Sequence, residues 1–223
     1  MRVTVIGCGR WGTFLAWYAD KIGHTVTLYG RENSPHLAAL RETRTNGMVT
    51  LPAGITLTGT VPADVELYLI SVGSQSLRGF LKQNAGLLRG KAIALCMKGL
   101  EIGSGKRLSV IAEEELGSQQ PVAVWLGPGH VQEFTRGVPN CMVIDSADET
   151  LKVELVDALS GDLIRFYYGC DLIGNEVGAA AKNVVGIAAG ALDGLGLSTL
   201  KGAWMSRGTR EVARLIAALG GNE

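Results

Sequence analysis

The sequence has few cysteines, few aromatic residues and no excess of either charge, and these shortages exclude several classes of protein. The four cysteines lie far apart in 223 residues and match neither a disulfide framework nor a metal-binding motif. The 21 basic and 21 acidic side chains balance, so no charge excess points to nucleic acid or a membrane surface. No apolar run reaches the roughly 20 residues that span a bilayer. We expect a globular protein without a membrane span, in a reducing, cytoplasmic compartment.

Strand and helix signals alternate through most of the chain. Short apolar runs predict strands, and the amphipathic stretches between them predict helices. Residues 47–62 are expected to form a turn-rich hairpin. The predicted strands are residues 2–6, 24–29, 65–72, 91–97, 122–126 and 141–144. This alternation predicts an α/β fold, a Rossmann-type, mostly parallel sheet with helices on both faces.

The sequence changes character near residue 170. No strand signal follows that point, and residues 174–192 and 199–219 are predicted to be helical. We therefore expect a dinucleotide-binding domain over residues 1–170. Residues 171–223 would begin an all-α substrate-binding domain.

The first of these two helices consists almost wholly of small apolar residues. Between Glu176 and Asp193 its one charged residue is Lys182. A buried ammonium costs several kcal/mol of desolvation unless something compensates it. The proton affinity of such a lysine depends on its neighbours, which suits a proton-transfer residue. Lys182 is therefore a candidate catalytic residue that we expect to be buried.

Residues 7–12 read GCGRWG and give the G-x-G-x-x-G pattern between the first strand and the first helix. In this context Gly7 permits a tight turn and Gly9 lets a pyrophosphate approach the backbone. Gly12 lets the helix pack on the strand. The N-terminus of the helix offers free N–H groups to the phosphates. The pattern predicts a dinucleotide cofactor.

The end of the second predicted strand bears on which cofactor binds. NAD-selective sites usually have an acidic residue there that binds the ribose 2′-hydroxyl. Here the first polar side chain is Arg31, which can pair with a 2′-phosphate, and Glu32 follows it. The sequence favours NADP(H) and leaves NAD(H) open.

Three loops follow predicted strands and are expected at the sheet edge where ligands bind in such folds. Lys98 comes directly after the fourth predicted strand, and residues 127–130 (GPGH) come directly after the fifth. Lys98 is expected to point into the crevice, and the GPGH backbone to approach a small anionic substrate. Residues 71–75 either face the cofactor or form a plain turn.

Four segments together resemble a known family. They are GCGRWG, KGLE at 98–101, GPGHVQE at 127–133 and IGNEVGAAAKNVVGIAAGALDGLGL at 173–197. The combination resembles the bacterial NAD(P)-dependent glycerol-3-phosphate dehydrogenases from residue 1 to about residue 220. The resemblance implies reduction of dihydroxyacetone phosphate to sn-glycerol 3-phosphate, for glycerophospholipid synthesis.

The resemblance also implies roles for individual residues. Lys182 would accept the proton in the alcohol-oxidising direction and contact the substrate, together with Lys98, Gly127 and Gly129. The implied cofactor-binding residues are Gly7, Gly9, Arg10, Trp11, Gly12, Arg31, Lys98 and Val131. No metal is expected, because no His/Cys/Asp cluster indicates one. Dimerisation would cover apolar helix surface.

The sequence departs from the family pattern at three places. The family usually has Pro at Gly73, and Ser and Phe at Gly129 and His130. Its chain also normally continues through further residues that bind glycerol phosphate. We expect that this chain is the N-terminal portion of a longer enzyme, or that another polypeptide supplies the missing helices.

Two other functions remain open from the residues. The chain could be an NADP(H)-binding module without turnover, or a related β-hydroxyacid or 6-phosphogluconate-type dehydrogenase. The KGLE and GAAAKNVVGIAAG segments favour glycerol phosphate over the second of these.

Overall fold

Eight short strands form one sheet in the computed structural model, which describes residues 1–222. The strands are β1 Arg2–Ile6, β2 Thr25–Tyr29, β3 Thr56–Thr58, β4 Leu67–Ile70, β5 Ala92–Leu95, β6 Val122–Leu126, β7 Asn140–Ser146 and β8 Ile164–Tyr168. Their order is β3-β2-β1-β4-β5-β6-β7-β8, and only β6 and β7 pair antiparallel within the described residues. The chain changes direction across the sheet between β1 and β4, which is where ligands bind in such folds.

Helices cover both faces of the sheet. They are α1 Arg10–Lys21, α2 Pro35–Thr43, α3 Leu77–Leu88, α4 Leu108–Leu116, α5 Val131–Thr135, α6 Glu149–Leu159, α7 Leu172–Gly194 and α8 Ser198–Ala218, with a 3₁₀ turn at Ser74–Ser76. One core lies under α1, α2, α5 and α6, and the other under α3 and α4. This arrangement confirms the predicted α/β class, with helices on both faces and two helices after the sheet.

The central strand β4 shows why a short apolar run predicts a strand in this fold. All four of its residues are buried, because helices cover the sheet on both sides. Leu67 and Leu69 join one core, whereas Tyr68 and Ile70 join the other. A short, continuous apolar run is the pattern that such a strand requires.

Two details of the predicted fold are wrong. The predicted strands end at residue 144, but α6 and β8 follow before the last two helices. β8 lies at the sheet edge and buries only alternate residues at its start, so its apolar signal is weak. Residues 47–62 do not form a hairpin, because β3 pairs parallel to β2, and a single antiparallel bridge joins Thr45 and Thr50.

The two last helices pack against each other, and α7 also contacts the sheet. Glu176 and Val177, in the first turns of α7, are buried, whereas Val184 and Ile187 are 67% and 76% exposed. The prediction that Lys182 is buried is wrong, since this residue is exposed. The reason is that Lys182 lies beyond the turns that the sheet covers. Within residues 1–222, no helix is long and apolar enough to cross a bilayer.

Candidate functional site

The turn between β1 and α1 requires glycine at two positions. Gly7 has a φ of +108°, in the left-handed region. A Cβ at Gly7 would lie 2.3 Å from the Ser71 carbonyl oxygen, and one at Gly12 would lie 1.8 Å from the Gly7 oxygen. The two glycines therefore let β1, β4 and α1 approach each other closely.

The N-terminus of α1 fits an anionic ligand. Its N-cap residue, Gly9, has no side chain to cap the helix, so the first-turn N–H groups keep their capacity to donate. A Cβ at Gly9 would meet no atom within 4 Å, so the backbone there is open to an approaching group. This geometry fits the pyrophosphate of a dinucleotide.

A cleft of about 420 Å³ lies beside this turn, where the strand order reverses. The loops after β1, β4, β5 and β6 line it, and Trp11 forms part of its wall and stacks on Phe14 with ring centroids 5.0 Å apart. The residues proposed from sequence that line the cleft are Gly9, Arg10, Trp11, Lys98, Gly127 and Gly129. Four separate segments are thus brought to one site.

A second cavity, of about 260 Å³, shares Lys98 and Gly127 with the cleft and extends to Asn175 and Lys182. The Lys98 ammonium donates a hydrogen bond to the Gly127 oxygen at 3.0 Å. Loss of solvation and then the charge of nearby Lys182 lower the pKa of Lys98 to about 8. Two lysines from different segments therefore face one small space, which favours an anionic ligand there.

Contacts from the loop after β4 hold the segment that follows Lys98. The Gln75 amide donates to the Leu100 oxygen at 2.9 Å and accepts from the Ile102 N–H at 2.8 Å. Arg78 binds both oxygens of Glu101, at 2.7 and 2.9 Å. Residues 71–73 line the cleft, and Gln75 holds the segment that follows Lys98. Residues 71–75 are therefore not a plain turn.

Four residues proposed for cofactor binding do not line the cleft, and two of them, Gly7 and Gly12, belong to the turn beside it. Val131 is buried in the core at the start of α5, and Arg31 is exposed after β2. Their cofactor contacts remain predictions.

The positions that differ from the family pattern have clear local geometry. A Cβ at Gly129 would lie 2.7 Å from a ring carbon of Phe134, so this packing has no room for a side chain. Gly73 has a φ of −60° and a ψ of 135°, which proline also adopts. His130 is exposed at the N-cap of α5.

Sequence reasoning missed several residues that line the two cavities. Trp125 and Met142 form part of the cleft wall, and Asn175 lines the cavity between the lysines. The Asn175 amide donates to buried Asp145 at 2.7 Å, which fixes its orientation. The signal for Asn175 was its place in the IGNE segment, whereas nothing local in sequence marked the other two.

The sheet, the glycine turn and the cleft at the strand reversal define a Rossmann-type dinucleotide-binding fold. Sequence comparison identifies the family. The model described as "NAD-dependent glycerol-3-phosphate dehydrogenase N-terminus" matches residues 2–152, and its C-terminus counterpart matches residues 171–223. The chain belongs to the NAD-dependent glycerol-3-phosphate dehydrogenase family.

Individual relatives agree. The glycerol-3-phosphate dehydrogenase [NAD(P)+] of Desulfitobacterium hafniense is 38% identical over 229 residues, covering 99% of this chain and 64% of the relative. That of Moorella thermoacetica is 39% identical, covering 98% and 67%. The Coxiella burnetii glycerol-3-phosphate dehydrogenase structure has a TM-score of 0.91 at 30% identity, covering 99% of this chain and 70% of that one. The chain thus spans about two thirds of the length of these relatives.

Proposed function

We propose that this protein binds NADP(H) or NAD(H) and reduces dihydroxyacetone phosphate to sn-glycerol 3-phosphate. The observation that carries the proposal is the shared space between Lys98 and Lys182, next to the nucleotide-sized cleft. Membership of the glycerol-3-phosphate dehydrogenase family favours this activity over a binding module without turnover.

The two lysines divide the chemistry of ketone reduction. The cofactor supplies the hydride when bound. Negative charge then develops on the substrate oxygen and needs both a proton and positive charge nearby. The Lys182 ammonium gives that proton, and in the reverse direction the neutral Lys182 amine accepts it. Lys98 supplies positive charge to the substrate and the cofactor.

Backbone groups position the two ligands. Gly7, Gly9 and Gly12 form the turn that receives the pyrophosphate, while Arg10 and Trp11 bind the cofactor at the N-terminus of α1. The further assigned residues are Gly127 and Gly129 for the substrate, and Arg31 and Val131 for the cofactor. We assign residues 1–170 to the cofactor-binding domain and residues 171–223 to the substrate-binding domain.

NADP(H) is the proposed cofactor because Glu32 is already engaged. Arg41 donates to its two carboxylate oxygens at 2.5 and 3.0 Å, so a ribose hydroxyl would have to compete with a guanidinium. In the part of the chain that the structure describes, the Arg31 guanidinium makes no hydrogen bond or ion pair and is exposed to solvent. Arg31 is therefore the group available to a 2′-phosphate.

Dissociation constants measured by fluorescence titration test this cofactor preference. We expect Arg31→Ala to weaken NADPH binding by about 10- to 100-fold, the range of a charge-assisted hydrogen bond. NADH binding should stay within about twofold, because NADH lacks the 2′-phosphate. Tighter binding of NADH than NADPH by the unaltered protein would overturn the preference.

NADPH oxidation with a panel of ketones tests the substrate. Dihydroxyacetone phosphate should support turnover, whereas dihydroxyacetone and small 2-keto acids should not, because they lack the phosphate that the two lysines attract. Equal turnover with the unphosphorylated ketone would refute the assignment.

Intact-mass analysis of the native gene product determines whether this chain acts alone or within a longer enzyme.

We further propose that the protein is a homodimer in the cytoplasm. Self-association would cover the exposed apolar surface of α7 and α8. Sedimentation equilibrium measures whether the protein forms a dimer. All four cysteines are free thiols, which suits a reducing compartment.

A further inference from the structure

A buried carboxylate that lines neither the cleft nor the cavity between the two lysines joins α7 to the start of α4. Glu176 is only 5% exposed and lies six residues before Lys182 on the same helix. It accepts hydrogen bonds from the Ser109 N–H at 2.9 Å, the Ser109 hydroxyl at 2.5 Å and the Arg107 guanidinium at 2.6 Å. Arg107 also donates to the Ser109 hydroxyl at 2.9 Å. The carboxylate is therefore fully engaged.

This contact replaces a cap that α4 lacks. The residue before α4, Arg107, has no side-chain capping bond, so the first N–H groups of the helix need another acceptor. Glu176 supplies one from a different element and places negative charge at the positive end of α4. A displaced carboxylate would remain buried without its partners, which costs several kcal/mol. The junction therefore fixes where α7 sits on α4.

Both sides of the junction lead to a lysine of the site. On the α4 side, Arg107 pairs with Leu100 in an antiparallel bridge, two residues after Lys98. Glu176 also lines a small cavity together with Lys98 and Gly99. On the α7 side, the continuous helix carries Lys182, about 9 Å along its axis from Glu176. Lys98 is thus connected to Lys182 through Arg107 and Glu176, by a short series of hydrogen-bonded contacts and one continuous helix.

We propose that Glu176 is a positioning residue that sets the separation between Lys98 and Lys182. It does so by fixing the start of α7 to the closed loop that begins at Lys98. Removing the carboxylate lets α7 shift and moves Lys182 away from Lys98. The catalytic meaning of this spacing rests on the proposed function, but the spacing itself exists in the protein without ligands.

The titration of Lys98 reports the spacing, because loss of solvation and then the charge of nearby Lys182 lower the Lys98 pKa, and a shift of α7 away from Lys98 weakens both effects. The other charges of the loop from Lys98 to Arg107 are paired: Glu101 with Arg78, Lys106 with Glu114, and Arg107 with Glu176 itself. The rate of amine labelling at Lys98 is followed by mass spectrometry from pH 6 to pH 11. We expect a midpoint near 8 in the unaltered protein. Glu176→Ala should raise this midpoint, and each unit lowers labelling at neutral pH about tenfold.

Two further variants separate positioning from general stability. Leu159→Ala removes buried contacts in α6, so it should lower the thermal midpoint without moving the Lys98 midpoint. Glu176→Gln keeps the size and can still accept from the Ser109 N–H, but it loses the second acceptor oxygen and the charge pair with Arg107. If Glu176→Ala does not fold, this variant decides, and we expect at least a threefold drop in labelling at neutral pH.

An unchanged Lys98 midpoint in the folded Glu176 variants would overturn the proposal, and so would an equal shift in Leu159→Ala. Turnover of dihydroxyacetone phosphate is a separate readout. Its absence in the unaltered protein would count against the proposed function and would leave the labelling result intact.

Discussion

Among single residues, Lys98 is the one through which we expect ligand binding to depend on pH. Its pKa of about 8 means that the side chain is charged below pH 8 and loses its proton as the pH rises through that value. A ligand phosphate that depends on this charge therefore binds well below pH 8 and more weakly above it. We expect the dissociation constant of NADPH to rise about 10-fold or more between pH 7 and pH 9.5, the value of one charge-assisted bond.

Lys98→Arg is the matched variant, because arginine stays charged throughout this range. Its affinity for NADPH should change little between the same two pH values. An equal fall in affinity for the arginine variant would assign the pH dependence to another group. Calorimetric titration at each pH provides the dissociation constants.

Single residues also show the limit of reading a site from sequence. Lys98 and Gly127 were predicted from their places after buried strands, and both line the cleft. The hydrogen bonds of Gln75 and Glu176 could not be predicted in this way. They join residues 25 and 67 positions apart, and the IGNE segment that contains Glu176 does not specify which distant residue this carboxylate meets.

Among the elements, the turn between β1 and α1 contains one glycine that packing requires, Gly12, and one that we propose for binding, Gly9. A Cβ at Gly12 would overlap the Gly7 oxygen, so Gly12→Ala should destabilise the protein by about 1–3 kcal/mol. A Cβ at Gly9 meets nothing, so Gly9→Ala should keep stability and instead obstruct the approach of the pyrophosphate.

Urea unfolding and NADPH titration on both variants measure the two effects. The expected pattern is a large stability loss only for Gly12→Ala, and weaker NADPH binding with near-normal stability for Gly9→Ala. Similar stability losses in both variants would contradict this division of roles.

The elements also explain which parts of the fold were predictable. The buried central strands carry continuous apolar runs, and such runs identify strands between two helical layers. The edge strand β8 and the short parallel strand β3 have no such runs, because neither is covered on both sides. For α7, small apolar residues predicted burial at Lys182. The burial of Lys182 depends on which elements cover α7, and the composition of α7 does not specify those elements.

In the whole molecule, the reversal of strand order between β1 and β4 is the feature that organises the site. It places the loops after four strands around one cleft, and α7 then places Lys182 at the adjoining cavity that Lys98 also lines. The N-terminal and C-terminal family matches meet at this point of the structure. This meeting of two segments brings Lys182, the proposed proton-transfer residue, next to the proposed cofactor cleft.

A comparison of the protein with its Lys182→Ala variant tests this role of Lys182. NADPH oxidation with dihydroxyacetone phosphate is measured together with the NADPH dissociation constant. We predict turnover by the unaltered protein, a loss of about 10²- to 10⁴-fold in the variant, and NADPH affinity within about twofold in both. Turnover that survives the substitution would contradict a proton-transfer role for Lys182, and an unaltered protein that binds no NADPH would contradict the cofactor cleft.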